Sequence, residues 1–156
     1  MHILDLIGPD RIKCHNSTGS KKRVLEQLSQ LLAEHQPDLL DGEVFDGLLN
    51  RERLGSTGFG KGVAIPHCRV SGLKVPVAAF VKLDRGIDFD AMDDQPVDLV
   101  FGLLVPADSS EEHLQLLAQL AQLISQPNLL NSLRQETDPG ELHKHLNHRY
   151  AENMSA

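Results

Sequence analysis

A histidine that follows a short apolar segment and a proline is the best candidate for chemistry in this chain. In residues 60–68 (GKGVAIPHC), the apolar segment 63–65 leads to Pro66, and His67 comes next. Proline fixes its own φ and has no N–H, so we expect the strand to stop there and to hold His67 just outside a rigid element. An imidazole changes its charge near neutral pH, which suits it to accept and release a group.

Four glycines and one arginine lie near this histidine in the sequence. Gly55, Gly58, Gly60 and Gly62 allow the backbone to approach a ligand closely and to turn N–H groups toward an anion. Arg51 lies upstream, at a predicted helix end. An imidazole, an arginine and a glycine-rich loop together indicate the handling of a phosphoryl group. Neither the dinucleotide-binding nor the P-loop glycine spacing is present.

Length and composition indicate one globular domain over residues 1–156. A chain of 156 residues can bury a proper core without disulfides or metals. Aromatic residues make up only 4% of the chain, so the core must be mainly aliphatic. The formal net charge of −7 argues against general nucleic-acid binding, which needs a basic face.

Two further features predict a cytoplasmic protein. The longest apolar runs are much shorter than the roughly 20 residues of a membrane-spanning helix, and the N-terminus does not resemble a signal peptide. Cys14 and Cys68 form neither a C-x-x-C pair nor a disulfide framework, which is typical of a reducing compartment. We therefore expect no membrane insertion.

Hydrophobic spacing predicts alternating helices and strands. The predicted helices cover 20–35, 41–53, 110–125, about 127–135 and 139–148, and the predicted strands cover 62–65, 75–84 and 97–105. The two longer strands are apolar almost throughout, as in a sheet covered on both faces. The pattern predicts an α/β sandwich with a mixed central β-sheet flanked by helices.

Details within these elements are also predicted. In helix 41–53 the spacing points Arg51 and Glu52 outward, and residues 84–87 are expected to turn after the strand. Ser109 and Glu112 have the spacing of a capping box before helix 110–125. The apolar face of that helix is predicted to consist of Leu114, Leu117, Leu120, Ala121 and Ile124.

Two sequence segments together carry a resemblance to a known family. Residues 50–58 (NRERLGSTG) and 62–67 (GVAIPH) resemble the enzyme IIA domains of the phosphoenolpyruvate-dependent phosphotransferase system, fructose/mannitol type. The order of predicted helices and strands agrees over essentially the whole chain. The Gly-Ser-Thr-Gly form of the loop, in a free-standing chain, is most similar to the nitrogen-regulatory subfamily.

The resemblance implies a phosphohistidine relay. It implies that His67 is the phosphoacceptor, that an HPr-like carrier donates the group, and that Arg51 and His113 are the other active-site residues. No cofactor or metal is implied. Cys68 departs from the glycine that often follows the histidine, and it is expected to tighten a turn there.

The residue types fit this chemistry independently of the family. A phosphoryl group in transfer needs mainly positioning and charge stabilisation, and the guanidinium of Arg51 offers a fork of donors for its oxygens. Backbone N–H groups near Ser56, Thr57 and Gly58 are expected to add more donors. His113 is expected in the first turn of a helix, where the dipole favours an anion.

Three functions remain open from the sequence. The first is a regulatory phosphocarrier whose binding partners change with phosphorylation, and the second is a sugar-transport enzyme IIA that passes phosphate to a IIB domain. The third is a metal or nucleotide sensor without transfer activity. The histidines near the C-terminus are expected to be solvated, because only His145 and His148 could converge and a zinc site needs about four ligands.

Overall fold

The computed structural model describes residues 2–34, 36–108 and 110–155, with side chains at all of these except 15, 16, 41, 110 and 148–155. Two short 3-10 turns precede the first strand. The elements that follow are β1 (Ile12–Asn16), α1 (Lys21–Ala33), α2 (Asp41–Leu54), β2 (Gly58–Gly60), β3 (Val63–Ala64), β4 (His67–Val70), β5 (Val77–Ile87), β6 (Val97–Pro106), α3 (Ser110–Ile124), α4 (Pro127–Gln135) and α5 (Pro139–Ser155).

A mixed six-stranded sheet forms the middle of the described structure. Its strand order is β1-β5-β6-β3-β2, and β4 also pairs with β6. β5 and β6 are antiparallel, whereas β1 pairs with β5, and β3 and β4 pair with β6, in parallel. Helices cover both faces: one buried cluster joins the sheet to α1 and α2, and the other joins it to α3, α4 and α5. The predicted α/β fold with a flanked mixed sheet is confirmed.

β3 ends at Ala64, before Pro66, as predicted, but His67 begins a new strand and does not lie outside one. β3 pairs Val63 with Leu99, and β4 pairs His67 with Leu103, so both strands keep the same offset along β6. Pro66 has no N–H to donate, but its carbonyl accepts from the N–H of Leu103 at 3.0 Å. β3 and β4 therefore follow the same line along β6 with Pro66 between them, and His67 is the first residue of β4.

Several predicted boundaries differ from the observed ones. The expected turn at 84–87 is wrong, because β5 continues through an irregularity after Lys82 and pairs again at Ile87. Strands β1, β2 and β4 are not predicted at all.

The predicted helices agree better with the structure. Helix α1 is capped by Ser20 as expected, α2 and α4 match within one residue, and α5 extends beyond 148. The capping box of Ser109 lies outside the described residues.

The buried face of α3 is rotated relative to the prediction. Leu116, Leu120, Leu123 and Ile124 are buried, whereas Leu114 is 67% exposed. A leucine-rich helix offers two neighbouring stripes at three-and-four spacing, and the sheet selects one of them. Within the described ranges, none of the helices has the length and apolar character that crossing a bilayer requires.

The hairpin of β2 and β3 is held from two sides. The guanidinium of Arg134 in α4 pairs with the carboxylate of Asp98 and also donates to the carbonyl of Lys61 in the hairpin turn. The N–H of Lys61 donates to Asp93 at 3.0 Å. These contacts fix the segment that leads from the glycine-rich loop to His67.

Candidate functional site

Side-chain alternation in β4 separates His67 from the cysteine that follows it. Cys68 is buried in the cluster formed with α1 and α2, and burial raises the pKa of its thiol to about 12. Its Sγ lies against α2, where a Cβ added at Gly47 would be only 3.0 Å away. The expectation that Cys68 tightens a turn is wrong, because the residue lies inside a strand. His67 is directed to the opposite layer and is half-buried.

One hydrogen bond sets the orientation of the His67 ring. Its Nδ1 lies 2.7 Å from the carbonyl oxygen of Ile65. A carbonyl can only accept, so Nδ1 carries the hydrogen and Nε2 keeps its lone pair in the neutral ring. Burial lowers the pKa of His67, and the charge of Arg51 lowers it further, while the Ile65 hydrogen bond and the charge of Glu52 raise it. The neutral, nucleophilic form is therefore favoured.

The structure brings His113 directly beside His67. The two ring centroids are 5.1 Å apart, and the ring planes meet at 66° in an edge-to-face arrangement. Nε2 of His113 is buried and has no hydrogen-bond partner within the described part of the chain. Burial lowers the pKa of His113, and the charges of His67, Arg69 and Arg51 lower it further. Two imidazoles that resist protonation thus face each other.

Two arginines flank this histidine pair. Arg51, in the last turn of α2, donates to the carbonyl of Gly55 at 2.9 Å, and its charge acts on both imidazoles. Arg69 is exposed on β4, two residues after His67, so both side chains lie on one face of the strand. Sequence reasoning missed Arg69, because its signal is alternation within a strand that was not predicted.

The glycine-rich loop is bonded mainly to the protein itself. The N–H of Thr57 donates to both carboxylate oxygens of Glu52, at 3.3 and 3.2 Å, and the N–H of Gly58 donates to Ser56 Oγ at 3.0 Å. Ser56 Oγ in turn donates to the carbonyl of Phe89 at 2.6 Å. Donation by the N–H groups of Thr57 and Gly58 to a phosphoryl group would compete with these bonds, so their predicted role as direct ligands stays untested.

The sequence predicts that Glu52 points outward, and this prediction is wrong. Its side chain is only 3% exposed, and its carboxylate also pairs with Lys21 Nζ at 3.0 Å. A helical period alone places residue 52 on the polar side of α2. The loop after the helix folds back over that side and buries it, which no local pattern reveals.

Histidine pairs outside this site show no metal cluster. Over the residues whose side chains are described, no group of three or more histidine, cysteine or acidic residues is placed to hold a metal ion. His145 lies 3.4 Å from Glu136, and His143 contacts Asn147. The side chain of His148 is outside the described residues.

Gly58 has a packing reason to be glycine, and this reason can be tested. A Cβ at residue 58 would lie 2.7 Å from Cβ and 2.8 Å from Cα of Ala91. Because backbone must move to relieve this overlap, we expect Gly58→Ala to lower the free energy of unfolding by about 1–3 kcal/mol in urea denaturation. Gly42→Ala, at an exposed position of α2 where an added Cβ would have no neighbour within 4 Å, is the matched control. Equal stability of the two variants would contradict the packing explanation.

The lowered pKa values of His67 and His113 predict a loss of stability in mild acid. In the unfolded chain these imidazoles take up protons near their ordinary pKa of 6.5, whereas in the folded chain they do so only at lower pH. The unfolded state then binds more protons, so the free energy of unfolding falls as the pH drops through about 6.5. We expect a shallower fall for His113→Gln when urea unfolding is followed across that range. An unchanged slope would show that His113 contributes nothing to it.

Comparison with known proteins adds to this geometry. Residues 5–149 match the family model described as "Phosphoenolpyruvate-dependent sugar phosphotransferase system, EIIA 2". A "Nitrogen regulatory protein" of Pseudomonas aeruginosa is 48% identical over 134 residues, which are 86% of this chain and 87% of the relative. The crystal structure of nitrogen regulatory protein IIA-Ntr from Neisseria meningitidis is similar with a TM-score of 0.86 and 40% identity, covering 92% of this chain and 98% of that one.

A more distant structure shares the fold alone. The IIA mannitol protein of Escherichia coli is similar with a TM-score of 0.74 at 22% identity, covering 89% of this chain and 97% of that one. The fold, the family match and the two close relatives agree with one another. The chain is therefore a member of the EIIA type 2 family of the phosphoenolpyruvate-dependent phosphotransferase system, the phosphotransferase components that carry phosphate on a histidine.

Proposed function

We propose that His67 accepts a phosphoryl group on Nε2 from a phosphohistidine of an HPr-like carrier. The observation that carries this proposal is the 2.7 Å hydrogen bond from Nδ1 to the Ile65 carbonyl, which leaves Nε2 as the nitrogen with a free lone pair. The N–P bond of the donor breaks as the new bond to Nε2 forms, and the donor imidazole keeps the electron pair. Nucleophile and leaving group are both imidazoles, so the transfer needs no metal.

The residues around His67 have complementary roles in this proposal. The transferring group is metaphosphate-like, and charge spreads over its oxygens. Arg51 presents its planar fork to those oxygens, and the buried Nε2 of His113 gains the partner that it lacks among the described residues. The loop of Ser56, Thr57 and Gly58 supports the site through its own hydrogen bonds and limits the space around the phosphoryl group.

The names of the close relatives support a regulatory function for this phosphoryl transfer. Domains of this family relay phosphate between HPr-like carriers and IIB domains, and the close relatives of the chain are named nitrogen regulatory proteins. Residues 1–156 then act as one cytoplasmic enzyme IIA domain whose partners respond to phosphorylation. A phosphoryl group adds about 1.5–2 negative charges at neutral pH, which changes which protein surfaces can dock.

Reconstitution with purified components tests the acceptor. Incubation with phosphoenolpyruvate, enzyme I and an HPr-like carrier should label the wild-type protein, and the label should be acid-labile and alkali-stable. His67→Ala should fold and take no label, whereas His143→Ala, a control on α5, should be labelled normally. Full labelling of His67→Ala would overturn the assignment. Rapid loss of label to an added IIB domain would favour sugar transport over regulation.

A conservative change at Arg51 separates charge from geometry. Arg51→Lys keeps the charge and loses the planar fork, so phosphoryl transfer from the carrier should slow by about a hundredfold, the scale of one lost donor in a preorganised site. The rate is measured by rapid-quench labelling. Arg53→Lys, exposed at the end of the same helix, is the control and should keep the wild-type rate. A wild-type rate for Arg51→Lys would show that the fork has no role.

A further inference from the structure

We infer that Glu52 is a positioning residue for His67, and that it acts through a chain of hydrogen bonds across the glycine-rich loop and as a counter-charge to the ring. This inference rests on the proposed phosphoryl transfer at His67. It gives a role to a carboxylate that neither touches the transferred group nor follows from the helical pattern of α2.

The surroundings of Glu52 are unusual for a glutamate at a helix end. The side chain is 3% exposed, accepts from the N–H and Oγ1 of Thr57, and pairs with Lys21 Nζ at 3.0 Å. Burial of a charge is costly unless it is paired and hydrogen-bonded, and here it is both. Lys21 also donates to the carbonyl of Phe89 at 3.3 Å, so the ion pair is tied to the neighbouring loop as well.

A continuous set of hydrogen bonds leads from this carboxylate to the imidazole. The N–H of Thr57 donates to Glu52, and the carbonyl of Thr57 accepts from the N–H of Ile65 at 2.9 Å. The carbonyl of Ile65 then accepts from Nδ1 of His67 at 2.7 Å. Each bond fixes the backbone group that makes the next one, so the position of Glu52 determines where the His67 ring is held.

Arg51 holds the other end of the same loop. Its guanidinium donates to the carbonyl of Gly55 at 2.9 Å, while Glu52 binds Thr57. Two consecutive residues of α2 therefore fix both ends of the segment 55–57. The guanidinium of Arg51 has further N–H donors for the phosphoryl group, whereas the carboxylate of Glu52 makes its contacts inside the protein.

The charge of Glu52 opposes that of the cations around the site. When Nε2 bonds to phosphorus, the ring becomes cationic while Nδ1 still carries its hydrogen. The charge of Arg51 disfavours the cationic form of His67, whereas the charge of Glu52 favours it. Arg69 and Arg51 act in the same way against a cation at the neighbouring His113. Lys21 offsets part of the effect of Glu52. The arrangement is comparable to the aspartate that supports the imidazolium of a catalytic triad, with backbone groups placed between.

Neutralisation of Glu52 is the test. Glu52→Gln keeps the size of the side chain and removes its charge. We expect the pKa of His67 to fall further, the Nδ1–H tautomer to lose population in ¹⁵N NMR, and phosphoryl transfer to slow about tenfold to a hundredfold, as when residues that orient a histidine are lost. Glu43→Gln, exposed on the same helix, is the control and should match the wild type in all three measurements.

A second variant covers the case in which Glu52→Gln does not fold. If Glu52→Gln does not fold, the double variant Lys21→Met/Glu52→Gln also removes the lysine that has lost its buried partner, and it is judged against Lys21→Met by the same measurements. A folded variant with an unchanged rate, or with unchanged pKa and tautomer at His67, would overturn the inference. If the wild-type protein takes no label, the proposed function fails, and the inference is then judged on the pKa and the tautomer alone.

Discussion

The bond from His67 Nδ1 to the carbonyl of Ile65 is the contact on which the site depends, because it decides which ring nitrogen faces outward. Pro66 lies between the two residues, with a fixed φ and no N–H. Its carbonyl still pairs with Leu103, so the interrupted strand stays in register with β6. β6, in which every residue except Asp98 is buried, thereby supplies the reference against which the histidine is positioned.

Electrostatics at the site differ from those of the whole molecule. The chain carries a formal net charge of −7, yet Arg51 and Arg69 place positive charge beside two half-buried imidazoles. Burial and these cations favour the neutral form of both imidazoles, and the cations attract an anion to the site. A phosphoryl group would therefore arrive in a small positive region of a molecule whose net charge is negative, which helps to define where a donor can dock productively.

Local signals explain what could be predicted from the sequence. The helices α1, α2 and α4 have clear apolar spacing, and the segment around His67 combines several rare features within a few residues. Strand β4 was missed because proline usually ends a strand and the pairing with β6 is not visible locally. The burial of Glu52 and the exposure of Leu114 also depend on which neighbouring segment covers a helix, and that is decided by tertiary packing.

The placement of Cys68 has a consequence for the chemistry that can reach this protein. Sulfur and imidazole nucleophiles are adjacent in the chain, but the sheet lies between them. A thiol with a pKa of about 12 has almost no thiolate at neutral pH, so it is a poor target for oxidants and alkylating agents. The sheet thus acts as a partition between the two nucleophiles: a reagent that reaches His67 meets the opposite layer from the one that holds the Cys68 thiol.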